Sequence, residues 1–115
     1  MLTVIDQDGV VVVTMSAPAD VTAAEATAFD AATQAVPAGA RTVLDLSRVG
    51  FLDSAGVGCL VRLHRRLDAA GGELRLAGPS GAVATVLELV RLHRMLEVHA
   101  TLAAAVLSYR DAGAG

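Results

Sequence analysis

The sequence predicts a single α/β domain: a small mixed β-sheet that opens with a hairpin, continues as alternating helix and strand, and is packed by about four helices. Three observations predict it. Two β-branched runs flank Asp8-Gly9, the stretch Thr42–Val61 passes from strand through loop into helix, and Glu73–Ala77 returns as a strand ahead of two more helical patterns. At 115 residues the chain suits one compact domain, and 54% hydrophobic residues supply its core. The domain is expected over residues 1–110, with 111–115 as a frayed tail.

Taken in order, Leu2–Ile5 and Val10–Met15 make the hairpin, since Asp8-Gly9 tolerates the positive φ of a tight turn. Ser16-Ala-Pro-Ala-Asp20 breaks the strand. Thr22-Ala-Ala-Glu25 has capping-box spacing and starts a first helix that runs to about Ala35, with Phe29 as its one large residue, before Val36-Pro-Ala-Gly39 stops it. Thr42, Val43 and Leu44 begin the central strand, Asp45 to Gly50 lets the chain out, and Ser47 to Asp53 is read as loop. A second helix spans Ser54 to about Ala70, with Val57, Leu60, Val61, Leu63 and Leu67 at helical spacing and a stop at Gly71-Gly72. In the strand Glu73–Ala77, Glu73 and Arg75 alternate with apolar residues, so one face is expected to be partly exposed. A third helix, Ala82 to about Leu92, buries Val83, Val86, Leu87 and Val90, with Ser80 as its cap. A short strand at Leu96–His99 precedes a last helix, Thr101 to about Tyr109, whose inward stripe is Leu102, Ala105, Val106 and Tyr109.

Composition excludes several function classes. The formal net charge is −3 and no basic stripe is present, which argues against direct nucleic-acid binding. Every basic side chain is Arg or His, so Schiff-base chemistry and a phosphate-loop lysine lack their residue. Cys59 is a lone cysteine, Met1–Asp6 offers no leader pattern, and no apolar run approaches the roughly 20 residues of a spanning helix. A cytoplasmic location without membrane insertion is expected.

The chemistry-bearing stretch is Phe51-Leu-Asp-Ser-Ala-Gly-Val-Gly58, with Ser54 where the helix begins. A hydroxyl there caps free N–H groups or, if phosphorylated, faces the positive end of the helix dipole. Asp53 places one charge beside it, Ala55 and Gly56 leave it accessible, and Val49, Phe51 and Leu52 add apolar area to the loop. Plainer roles stand beside these: Ser54 as an N-cap only, Asp53 as a favourable charge at a helix start, Phe51 in the core and Asp20 as a helix cap. Enzyme motifs match poorly. Gly56-Val-Gly58 has Val61 where a dinucleotide fingerprint needs its third Gly, and Leu52-Asp-Ser-Ala-Gly56 is half a nucleophile elbow. Nothing brings His64, His93 or His99 to Ser54 as a base, and one Cys with three scattered His shows no metal-ligand spacing. Cys59 is either a thiol activated near a helix start or a small core residue. No enzyme activity, cofactor or metal is expected.

Leu44-Asp-Leu-Ser47, Phe51–Gly58 and Gly71-Gly-Glu-Leu-Arg-Leu76, in this order and spacing, resemble the STAS domain family of anti-sigma-factor antagonists over nearly the whole chain. The resemblance implies a small mixed sheet packed by helices. It also implies a switch: a partner that is both anti-sigma factor and serine kinase phosphorylates Ser54, and the phosphorylated antagonist lets go. Asp20 falls where the family has an acid close to that serine, so the implied contact set is Asp20, Phe51, Asp53, Ser54, Ala55 and Gly56 on a monomer or weak dimer. One departure is visible. The family pattern Gly, acid, apolar, Asp reads Ala17-Pro18-Ala19-Asp20 here, and only the Asp remains. The resemblance also admits a second role, as an accessory STAS subunit of a bacterial lipid-transport ABC system that binds the ATPase without phosphorylation.

Overall fold

A computed structural model describes residues 2–114, the side chains of 111–114 excepted. The chain order is β1 (Leu2–Gln7), β2 (Val10–Met15), β3 (Ala19–Val21), α1 (Ala26–Thr33), β4 (Arg41–Asp45), β5 (Val49–Leu52), α2 (Ser54–Ala69), β6 (Glu73–Ala77), α3 (Gly81–Leu89), a 3₁₀ turn (Leu92–Arg94), β7 (Val98–His99) and α4 (Leu102–Ala114). Five strands form one sheet in the order β1-β2-β4-β6-β7, antiparallel at the opening hairpin and parallel elsewhere. The expected α/β class, hairpin and four helices are all present.

The central strands are buried on both faces, which explains the unbroken valine run of β2. Val11, Val13, Met15, Leu44, Leu74 and Leu76 meet α1, α2 and α3 on one side. Val10, Val12, Val43 and Ala77 meet Ala105, Val106 and Tyr109 of α4 on the other. The hydroxyl of Tyr109 donates to the carbonyls of Thr42 and Glu73, tying α4 across two central strands. Leu44, Leu60, Leu67, Leu76 and Leu87 are core, while Val61 and Val86 pack against it half-buried.

Several boundaries differ from the sequence reading, each for a physical reason. Thr22 donates both its N–H and its hydroxyl to the Glu25 carboxylate, so this box closes a separate turn and α1 starts only at Ala26. Helix α1 ends at Thr33, where the Arg66 guanidinium of α2 takes the carbonyls of Thr33 and Val36. Arg75 does not face solvent. It lies 4.1 Å over the Tyr109 ring and pairs with Glu73 and Glu97, because α4 covers that face. Helix α3 stops at Leu89 and Arg91 takes a left-handed φ of 59°, which puts Val90 outward and turns Leu92 into the core. Ser80 caps α3 as expected, accepting from the Val83 N–H. The last strand is only Val98–His99 and α4 continues to Ala114, past the expected end at Tyr109. Gly115, the end of the expected tail, lies outside the described residues.

Candidate functional site

The stretch from Ser47 to Asp53 is not all loop. Val49–Leu52 is a strand, β5, and it pairs in parallel with β3, Ala19 opposite Val49 and Val21 opposite Leu52. These two short strands form a second sheet outside the main one, and they position the site. Val49 and Leu52 point into the core, so the apolar area offered outward narrows to Phe51, which is 48% exposed. The Ala17-Pro18 departure does not disturb this pairing: the Ala19 N–H donates to the Arg48 carbonyl and the strand follows at once.

Asp53, rather than Ser54, is the N-cap of α2. Its Oδ1 accepts from the Gly56 N–H at 3.0 Å and its Oδ2 from the Ala23 N–H at 3.1 Å, so one carboxylate fastens the helix start to the turn after β3. The Gly56 N–H, with smaller help from Ala23, holds the Asp53 carboxyl below its usual pKa. Ser54 is the first helical residue and is exposed, and among the described residues no partner engages its hydroxyl. Ala55 is half-buried beside it.

Gly56 is buried against β3. A Cβ there would overlap the Val21 carbonyl oxygen and lie 2.5 Å from Leu52 Cδ1, so only glycine lets the helix approach this closely. Gly50 has the matching role on β5, since a Cβ on it would sit 2.9 Å from Asp20 Oδ1. The exposed Asp20 carboxylate therefore lies over Gly50, next to Phe51. The six sequence-predicted residues fall on two joined segments, β3 with its turn and β5 with the first turn of α2. Sequence reasoning missed Gly50 and the Ala23 N–H. A glycine inside a β-rich run marks a close approach of another chain segment and was the available signal for the first.

The three histidines stand on three different elements. His64 lies on α2, His93 in the 3₁₀ turn and His99 on β7, where it contacts Glu97. Among the described residues no three His, Cys, Asp or Glu side chains group as metal ligands, and no helix is long and apolar enough to cross a membrane. Cys59 is 1% exposed and burial pushes its thiol pKa up, which makes it a core residue rather than a nucleophile.

Fold and site together define a class: a small α/β domain that presents a helix start framed by a second strand pair. Comparison carries this to a family. The STAS domain profile matches residues 2–105, and the chain belongs to the STAS domain family. Among solved structures it is similar to an anti-sigma factor antagonist from Mycobacterium paratuberculosis, with 29% identity over 96% of this chain and 93% of that one and a TM-score of 0.84. It shares its fold with the unphosphorylated form of the anti-sigma factor antagonist SpoIIAA (24% identity, 96% and 97% covered, TM-score 0.73). The same fold occurs within the murine anion transporter Slc26a9 (21% identity, 90% of this chain but 18% of that one, TM-score 0.74). No curated protein matches at the level of sequence. The fold is thus of the anti-sigma-factor antagonist type, and STAS domain proteins are generally non-enzymatic regulators.

Proposed function

We propose that this protein is an anti-sigma-factor antagonist: it binds an anti-sigma factor with serine kinase activity, frees a sigma factor in the cytoplasm, and is switched off by phosphorylation of Ser54. The observation that carries the reading is the division of labour at the start of α2. Asp53 does the capping, which leaves the Ser54 hydroxyl exposed and uncommitted. A phosphate there adds about −1.5 to −2 charge at the positive end of a helix, where the fold itself tolerates it. The surface changes far more than the fold does. Asp20 and Asp53 already make this face acidic, and a partner fitted to a neutral hydroxyl meets both repulsion and a desolvation penalty. Phe51 is the apolar anchor, Ala55 keeps the approach open, and Gly56 acts through its packing on Val21, which sets the height of the whole contact surface.

The test pairs modification with binding. Incubation with the cognate anti-sigma kinase and ATP yields one phosphate, mapped by mass spectrometry to Ser54 and absent in Ser54→Ala, which still binds. Ser54→Asp weakens partner binding by more than the ~1.4 kcal/mol of a tenfold change while its thermal stability stays near that of the wild type. Equal affinity of all three proteins, with no phosphate at Ser54, rejects the switch. The likeness to a transporter-borne domain supports a second reading, an accessory STAS subunit that binds the ATPase of a lipid-transport ABC system without phosphorylation. Neighbouring permease and ATPase genes, in place of a kinase-type anti-sigma factor, favour it.

A further inference from the structure

Helix α3 ends in a stretch that the core does not absorb. Leu92 and Leu96 are buried and pin the 3₁₀ turn, yet around them Leu89 is 77% exposed, Val90 48% and Met95 49%. These are three of the six large apolar side chains exposed among the described residues, gathered within 89–95. Arg91 holds a left-handed φ of 59°, a conformation unfavourable for any residue with a β-carbon, and this kink keeps Val90 outward while Leu92 turns in. Arg91, His93 and Arg94 stand exposed between the apolar residues, and among the described residues none of the three makes an ion pair. Glu88 is the one acid in the stretch, and with His93 it borders a separate cleft of about 240 Å³ over Leu87 and Val98. The negative end of the α3 dipole accounts for basic side chains here, but not for the leucine, valine and methionine set among them.

We infer that this tip docks on the surface of a bilayer rich in anionic phospholipid, without spanning it, with Leu89, Val90 and Met95 in the interfacial layer and Arg91 and Arg94 on the lipid phosphates. Charge selects the lipid. The chain as a whole carries −3 and would be repelled by such a surface, but screening confines that repulsion to about 8 Å at physiological ionic strength, and the docking stretch itself sets two arginines against Glu88. Shape selects a bilayer over a protein. A stable protein interface draws on about 20–30 matched residues a side, more than a helix end and its turn supply, whereas a fluid lipid interface closes around whatever apolar group projects into it. Strand β7 runs parallel to β6, so α3 returns along the sheet between them, and its end lies away from the strand ends where Ser54 starts α2. The tip rests on a membrane with the Ser54 face still open, so this docking stands or falls independently of the switch.

Co-sedimentation with vesicles of mixed phosphatidylglycerol and phosphatidylcholine tests it, against vesicles of phosphatidylcholine alone. The protein is expected on the mixed vesicles and not on the neutral ones, and added salt should release it. Each arginine contributes about fivefold to the partition, so Arg91→Asn with Arg94→Gln should lower it about 25-fold; asparagine is used because it tolerates the left-handed backbone of Arg91. Leu89→Ser should lower it about tenfold with no change of charge. Circular dichroism melts establish that both variants fold. Absence of the protein from the mixed vesicles, equal partition onto neutral ones, indifference to salt, or wild-type partition of either variant overturns the docking and leaves the tip to a protein partner.

Discussion

Gly56 and Gly58 lie two residues apart on α2, yet alanine at each is expected to move stability in opposite directions. At Gly56 the new Cβ overlaps the backbone carbonyl of Val21 and crowds Leu52 Cδ1, and neither a strand carbonyl nor a fully buried leucine gives way cheaply. Overpacking costs about 1–3 kcal/mol, and an overlap with two atoms at once takes the upper part of that range, about 2–3 kcal/mol. Replacing a helical glycine returns about 0.5–1 kcal/mol, so the net loss is about 1–2.5 kcal/mol, a fall in Tm of about 4–10 °C for a domain of this size. At Gly58 the nearest atom is Arg62 Nη1 at 3.2 Å, the far end of a flexible side chain that is 58% exposed. It swings aside, and the helix-propensity gain of up to about 1 kcal/mol remains. Thermal melts and urea titrations of the two variants read both signs. A Gly56→Ala protein as stable as the wild type would show that α2 does not depend on this approach to β3, and the account of the site would fail with it. The same variant should weaken partner binding, since it lifts the Ser54 turn off the strand that carries Asp20.

Leu60→Ala empties a site that is 0% exposed and should lose about 2–5 kcal/mol in a urea titration; a loss well below about 1 kcal/mol would contradict its core placement. Tyr109→Phe removes the donor shared by the Thr42 and Glu73 carbonyls and should cost about 1–3 kcal/mol. Burial raises the Tyr109 pKa, so the stability tied to its protonated phenol is complete below the unfolded value near pH 10 and is lost as pH climbs toward the folded value. Wild-type urea midpoints should therefore drop above about pH 10 more steeply than those of Tyr109→Phe. For Asp53 the sign reverses. Its folded pKa is lowered chiefly by the Gly56 N–H, so its contribution is present above the unfolded value of 3.8 and is lost as pH falls through the folded one. Asp53→Ala should melt lower than the wild type at neutral pH, with the gap closing in acid; a gap independent of pH would remove the carboxylate from the cap.

The sequence by itself determined whatever depends on residues adjacent in the chain. Asp8-Gly9 carries its turn, Ser80 its cap, and the spacing of Leu60, Leu63 and Leu67 the inner face of α2, because dihedral preference and helical period act over a few residues. The exposed Ser54 at a helix start was legible on the same grounds. Only the tertiary structure decided the rest of the site. Strands β3 and β5 have three and four residues, too few to show a period, and they exist because Ala19 and Val49 find each other across the intervening chain. A comparable stretch of chain separates Asp53 from the Ala23 N–H that makes it a clamp as well as a cap, and Arg75 from the Tyr109 ring that buries it. A carboxylate or guanidinium carries no local mark of the partner it will meet. That partner is chosen by which segments the folded core presses together, so the sequence placed the serine and the fold built the surface around it.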